Sequence, residues 1–283
     1  MRRLLMMVVA TLALMACDGR TLVVASPPDA SADGEPLRDA DGIPRQDPPS
    51  SSAIPGNHRL HLVTRHGVPL TDAGGIACAD THVWLSTAGH NASQHTLAYV
   101  RLATSAIEKQ FTLTNLIEQP GTGAYGITVL NGFVFMSVAG NTNKIVRVDP
   151  TTGEVVQTFA APTALGPSDL DVSGEHIVES DGTGQVFTLA AATGAVVRSF
   201  AAGALGRNMG IAVRGNEAFV GSLFGGMERH DVTTGAHLGS VTKEDGTALA
   251  GDGIDLGSMC FNGSRLLILS KLGISEYDVV AGL

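Results

Sequence analysis

The chain has few aromatic residues, few charges and almost no cysteine, and each shortage narrows what it can do. Phe, Trp and Tyr make up 5% of its 283 residues, with Trp84 the single tryptophan. Charged residues make up 16%, and 18 basic against 27 acidic side chains leave a formal charge of −9 with no basic stripe after Arg3. Non-specific nucleic-acid binding needs clustered cations to displace counterions, so a nucleic-acid partner is excluded. The apolar run from Leu4 to Leu14 is too short to span a bilayer. What the chain has in abundance is glycine, 35 residues, together with many short apolar runs. That combination suits an all-β domain full of tight turns.

Residues 1–17 read as a targeting segment rather than as fold. Arg2 and Arg3 precede the apolar run, which ends in Leu14-Met15-Ala16-Cys17. These four residues resemble the lipobox of bacterial lipoproteins, with Met15 where a small residue is usual. The resemblance implies cleavage before Cys17 and lipidation of that cysteine, so the expected location is the extracytoplasmic side of the cell envelope, lipid-anchored to a membrane. Asp18 resembles the inner-membrane retention signal of enteric bacteria, and which membrane is used stays open. Residues 18–56 hold Pro27-Pro28, Pro36, Pro44, Pro48-Pro49, Pro55 and Ser50-Ser51-Ser52. Such a composition cannot bury enough surface to offset its ordering entropy and is expected to form a disordered tether.

From Asn57 onward the chain repeats itself. Val148-Asp149-Pro150-Thr151-Thr152-Gly153, Ala190-Ala191-Ala192-Thr193-Gly194 and His230-Asp231-Val232-Thr233-Thr234-Gly235 close on glycines 41 residues apart. A period of this length marks a repeat architecture, and four short strands per period match one propeller blade. The clearest unit runs from a strand at Gly126 to Leu130, through the Asn131-Gly132 hairpin turn, to strands at Phe133 to Ala139, Lys144 to Val148 and Glu154 to Phe159. Units at Gly75 to Thr114, Ser168 to Ala202, Met209 to Lys243 and Gly257 to Leu283 align on it. The last has no fourth strand, and the strand-like run His58 to His66 is unclaimed. It is expected to pair near Glu276 to Val280, closing a five-bladed β-propeller over residues 57–283.

The Asp-x-x-Thr-Gly phrase resembles the turn of quinoprotein repeats and of the related YVTN-type propellers. Phe159 and Phe200 stand near the place where the quinoprotein family carries a tryptophan, so the resemblance implies a propeller and not the quinone cofactor. Five-bladed architecture also resembles glutaminyl cyclotransferases of the plant and bacterial type, although the phrases expected of that family are missing.

Several motif matches have no structural context. Gly121-Thr122-Gly123-Ala124-Tyr125-Gly126 spells G-x-G-x-x-G, but Pro120 precedes it and a β-like run follows, where dinucleotide binding needs a strand and a helix. Ser240-Val241-Thr242-Lys243 spells S-x-x-K on a strand, where the two side chains cannot share a helix face. Of nine histidines, His90 and His95 flank one loop and are the pair best placed to converge on a metal. Cys78 and Cys260 fall at equivalent positions of the innermost strands. Small buried hydrophobes are the favoured reading, because such positions on adjacent blades commonly lie farther apart than the ~7 Å a disulfide tolerates, while an extracytoplasmic compartment would permit a bond and leaves it open.

The segments leading into each innermost strand should meet around the channel mouth. They carry Asp72, Tyr125, Asp169, Arg207, Asn208, Asp252 and Asp255, with Asp171 just inside. Clustered carboxylates raise one another's pKa, serve as acid and base, or accept a cation, so a calcium ion in the central channel is the one cofactor they would take. The plainer reading, solvated turn residues plus a few hydrogen bonds in the channel, is the expectation favoured here. The leading functional expectation is therefore a binding module for a small ligand or an envelope protein. The second is a propeller enzyme of glutaminyl cyclotransferase, lyase or lactonase type using those carboxylates.

Overall fold

The computed structural model describes residues 56–87, 95–114, 116, 123–140, 142–163, 166–202, 208–222, 226–247, 249 and 257–282. The targeting segment with Cys17 and nearly all of the tether lie outside these residues. Every regular element among the described residues is a strand, and no helix occurs.

The strands follow the repeat. After β1 (His58–His66), three four-stranded antiparallel sheets come in sequence order. The first contains β2 (Ala73–Ala79), β3 (His82–Thr87), β4 (His95–Arg101) and β5 (Ala106–Leu113). The second contains β6 (Gly123–Leu130), β7 (Phe133–Ala139), β8 (Lys144–Val148) and β9 (Val155–Ala160). The third contains β10 (Pro167–Ser173), β11 (His176–Asp181), β12 (Gln185–Ala190) and β13 (Val196–Ala201). The remaining strands are β14 (Asn208–Arg214), β15 (Glu217–Ser222), β16 (Met227–Asp231), β17 (His237–Lys243), β18 (Ser258–Asn262), β19 (Arg265–Ser270) and β20 (Gly273–Ala281). They form one eight-stranded sheet in the order β14-β15-β16-β17-β1-β20-β19-β18.

β1 is the link in that sheet. It runs antiparallel to β20 from His58 opposite Ala281 to His66 opposite Ile274. It touches β17 in parallel over only three residue pairs, from His58 to Leu60. The strand that opens the domain is thus paired with the strand that ends it, as expected from the sequence. The first strands of the successive groups, β2, β6, β10, β14 and β18, pack against one another in cyclic order, with β18 returning to β2. This is a β-propeller. Apolar clusters fill the spaces between neighbouring sheets: Trp84 and Leu97 meet Ile127 and Met136, and Ile76 and Leu85 meet Leu267 and Leu269. Such interfaces form because each strand alternates its side chains between the two faces of its sheet, and both faces are covered.

Cys78 on β2 and Cys260 on β18 form a disulfide, with Cα atoms 5.7 Å apart. Of the two readings the sequence left open, the bonded one holds rather than the favoured pair of unbonded hydrophobes. The innermost strands converge toward the ring's centre, and there the equivalent positions of neighbouring sheets come within bonding range.

The recurring turn has a second role beside chain reversal. Gly153, Gly194 and Gly235 have φ near +75°, at 75°, 71° and 74°. A Cβ at these positions would lie 2.5, 2.6 and 2.5 Å from side-chain atoms of Phe111, Phe159 and Phe200, each from the last strand of the preceding sheet. The glycine therefore turns the chain and leaves room for a neighbouring ring. Asp149 Oδ1 accepts from Thr151 N at 2.7 Å, and Asp231 Oδ1 accepts from the amides of Thr233 and Thr234 at 2.9 and 2.7 Å. These bonds hold the Asp149 carboxyl below its ordinary range.

Candidate functional site

The sheet β10–β13 carries an unusual load of buried polar groups: Asp169, Asp171, Glu179, Ser180, Asp181 and Thr188. Alternation along its strands sorts them by face. Asp169 and Asp171 on β10 reach toward β14, while Glu179 and Asp181 on β11 share a face with Leu170 and Ile177, which pack with Phe135 and Ile145 of the preceding sheet.

Asp169 is fully buried, and its carboxylate joins three strands of the ring. Oδ2 accepts from Ile211 N of β14 at 2.9 Å and from Met259 N of β18 at 3.0 Å, and Oδ1 accepts from Ser258 Oγ at 2.7 Å. Ser258 Oγ in turn accepts from Ile76 N of β2 at 3.0 Å. Asp171 binds the next level: Val213 N at 2.6 Å, its neighbour Val172 N at 2.8 Å and Thr128 Oγ1 at 3.5 Å. Burial pushes the Asp169 carboxyl well above its usual range against the pull of these donors, and pushes Asp171 up to about 7. Their oxygens are engaged by the protein itself. Both residues tie the ring together instead of standing at a solvated mouth. The sequence placed Asp169 in a loop; it lies inside β10, where the register shifts between Pro167 and Asp169.

Of the other expected site residues, Asp72 and Tyr125 are the two whose side chains are described. Asp72 is exposed, at φ 57° in the turn before β2. Tyr125 is half-buried within β6. Arg207, Asp252 and Asp255 lie outside the described residues, as does the side chain of Asn208. His90 also lies outside them. His95 is buried, with Nδ1 donating to the Thr87 carbonyl at 3.2 Å and Nε2 bare, and burial lowers its pKa. Among the described residues no three His, Cys, Asp or Glu side chains converge as a metal set.

The residue that sequence reasoning missed is Glu179. It is 0% exposed, and neither carboxyl oxygen has a hydrogen-bond partner. Burial, reinforced by the charge of Asp181, pushes its pKa up to about 8. Asp181 is satisfied, its Oδ1 accepting from Thr183 N at 2.8 Å and Gln185 N at 2.9 Å. The register shows how anomalous Glu179 is. It lies opposite Leu170, and the corresponding pairs elsewhere are Ile76 with Leu85, Ile127 with Met136, Ile211 with Val220 and Met259 with Ile268. Leu85, Met136, Val220 and Ile268 are all buried in apolar clusters. A carboxylic acid replaces a core aliphatic in one sheet alone. Aligning the second strands of the repeat would have exposed it as the lone acid in that column.

Glu179 sits two residues inside the end of β11 from which the chain turns toward β12. The neighbouring sheet reaches the same end at Ala139 of β7. There Asn143 Nδ2 donates to the Thr163 carbonyl at 2.9 Å, while Thr163 Oγ1 is buried without a partner.

Against known proteins, no family model matches the chain and no curated protein matches it. Among solved structures it resembles a glutaminyl cyclase from Myxococcus xanthus, with a TM-score of 0.64 and 15% identity, over 81% of this chain and all of that one. It also overlaps apo AztD from Citrobacter koseri, at a TM-score of 0.40 and 17% identity, over 63% of this chain and 48% of that one. At such identity the likeness to the cyclase is one of fold.

Proposed function

We propose that the protein is an extracytoplasmic, lipid-tethered propeller of five blades whose mouth face binds a small ligand above Glu179. The count of five groups β1 with β18, β19 and β20 as one blade and β14 to β17 as another, since β1 and β17 share only three residue pairs. The lipobox-like ending at Cys17 supports the anchor. Substituting Cys17→Ser should release the chain from the membrane fraction and abolish incorporation of a labelled fatty acid.

Glu179 carries the ligand reading. Leaving a buried polar group without a partner costs about 1–3 kcal/mol, and more for a charged one. Local departures of this kind concentrate at functional sites. A thermal-shift screen of neutral, anionic and cationic small molecules against the wild type and Glu179→Met tests it. At least one compound should stabilise the wild type and leave the variant unmoved; a screen in which no compound separates the two proteins would overturn the reading.

The likeness to the M. xanthus enzyme favours a second reading, a propeller enzyme of the glutaminyl cyclotransferase type. An acid that titrates near neutral pH suits general acid–base work, taking a proton from an attacking amine and passing it to departing ammonia. Incubation with a glutamine-initiated peptide should then release ammonia with the wild type and not with Glu179→Gln. Without ammonia release from the wild type, this second reading fails.

A further inference from the structure

We propose that the seam between the sheets β6–β9 and β10–β13 receives an organic cation, a primary ammonium or guanidinium group, with Glu179 as its counter-ion. The inference rests on the ligand reading above and specifies the chemistry of that site.

Two carboxyls, Glu179 and Asp181, share one buried face, and among the described residues no cation pairs with either. Among the described residues of the facing sheet, Arg147 of β8, opposite Phe135, is a charged side chain turned toward this seam. Its guanidinium is stacked over the Phe133 ring at 3.5 Å rather than paired with Glu179. Asp169 and Asp171 belong to the opposite face, where backbone amides engage them. Glu179 is thus an acceptor with two vacant oxygens in an acidic, dry setting. The partner that completes it must donate hydrogen bonds and carry positive charge. A divalent metal fits less well. Calcium takes six to eight oxygens, and no three acidic or histidine side chains converge among the described residues. An ammonium or guanidinium head is satisfied by two or three acceptors. Because the free carboxyl holds its proton at neutral pH, a cation must displace that proton to pair with it, so binding and proton release are coupled.

Titration calorimetry of the full chain with agmatine and with n-butylammonium, in phosphate and in MES, reads both quantities. Affinity for at least one probe should rise about tenfold per pH unit between about pH 5 and about pH 7, with close to one proton released per cation bound. Glu179→Gln should lose at least about tenfold in affinity together with the proton release, and Glu179→Met, which mimics the sister strands, should fold and bind neither probe. Three results would overturn the inference: neither probe bound at millimolar concentration, cation binding unchanged in both variants, or binding of calcium alone. If the thermal-shift screen instead yields a Glu179-dependent ligand that is neutral or anionic, the cation is wrong while the ligand site stands. If no compound depends on Glu179, both fail.

Discussion

A methyl group at Gly194 has nowhere to go: the backbone is left-handed there, and the Phe159 side chain stands 2.6 Å from where the Cβ would lie. Gly194→Ala should therefore lose about 1–3 kcal/mol, read as a fall in the calorimetric melting temperature, whereas alanine at exposed Gly174, which meets no atom within 4 Å, should lose less. Glu179 gives the opposite sign. Glu179→Met removes an unpartnered acid from an apolar seam and should raise stability by about 1–3 kcal/mol, at the cost of ligand binding. The pH dependence follows from the same residue. Its folded-state pKa, about 8, lies above the ordinary value of 4.5, so the folded state binds the extra proton. The stability linked to that proton is complete below about pH 4.5 and is lost as the pH rises toward 8. Asp171, raised from 3.8 to about 7, adds a loss of the same sign at lower pH. Melting temperature should thus decline from about pH 5 to about pH 8, and Glu179→Met should flatten the upper part of that decline.

At the scale of elements, the strands were legible because two patterns coincide: alternating polarity within each strand and a fixed turn after the third. The hairpin at Asn131-Gly132, with φ of 51° and 76°, joins β6 to β7 where the sequence placed it. What could not be read is what happens across sheets. Asp169 looks like a turn residue after Gly166-Pro167, and only the ring brings Ile211, Ser258 and Met259 to its carboxyl. Glu179 was legible in principle, since its column of Leu85, Met136, Val220 and Ile268 needs only the repeat alignment. That its oxygens lack partners depends on the facing sheet and is written nowhere along β11. The element most exposed to a single change is β1. Fully buried Arg229 on β16 donates to Glu217 Oε1 at 2.8 Å, to the Gly56 carbonyl at 2.6 Å and to His58 Nδ1, holding the entry to β1 against the sheet. Arg229→Ala strands the Glu217 carboxylate and frees that entry. A loss of about 3–5 kcal/mol is expected, with hydrogen exchange rising first in residues 56–60.

At the scale of the whole molecule, two independent fastenings close the ring on the same pair of neighbours. The β1–β20 ladder fastens the outside, and the Cys78–Cys260 bond fastens β2 to β18 at the inside. The bond spans 182 residues of chain, so it constrains a long loop of the unfolded state. Replacing both cysteines with alanine should lower stability by about 2–5 kcal/mol, and a reducing agent should lower the melting temperature of the wild type but not of the double variant. Such a bond forms in an oxidising compartment, which agrees with the export proposed for the chain.

The ladder also fixes where the two extremities of the domain lie. Gly282 N donates to the Asn57 carbonyl at 2.7 Å, so the polypeptide leaves the domain beside the point where it enters. A circularly permuted gene, fusing position 282 to position 57 through a short glycine bridge and reopening the chain at the exposed Asn131-Gly132 hairpin, would keep every strand in its place. Its polypeptide would carry the β1–β20 closure on one continuous stretch and would complete the ring instead at the β6–β7 ladder, with β6 as the last strand made.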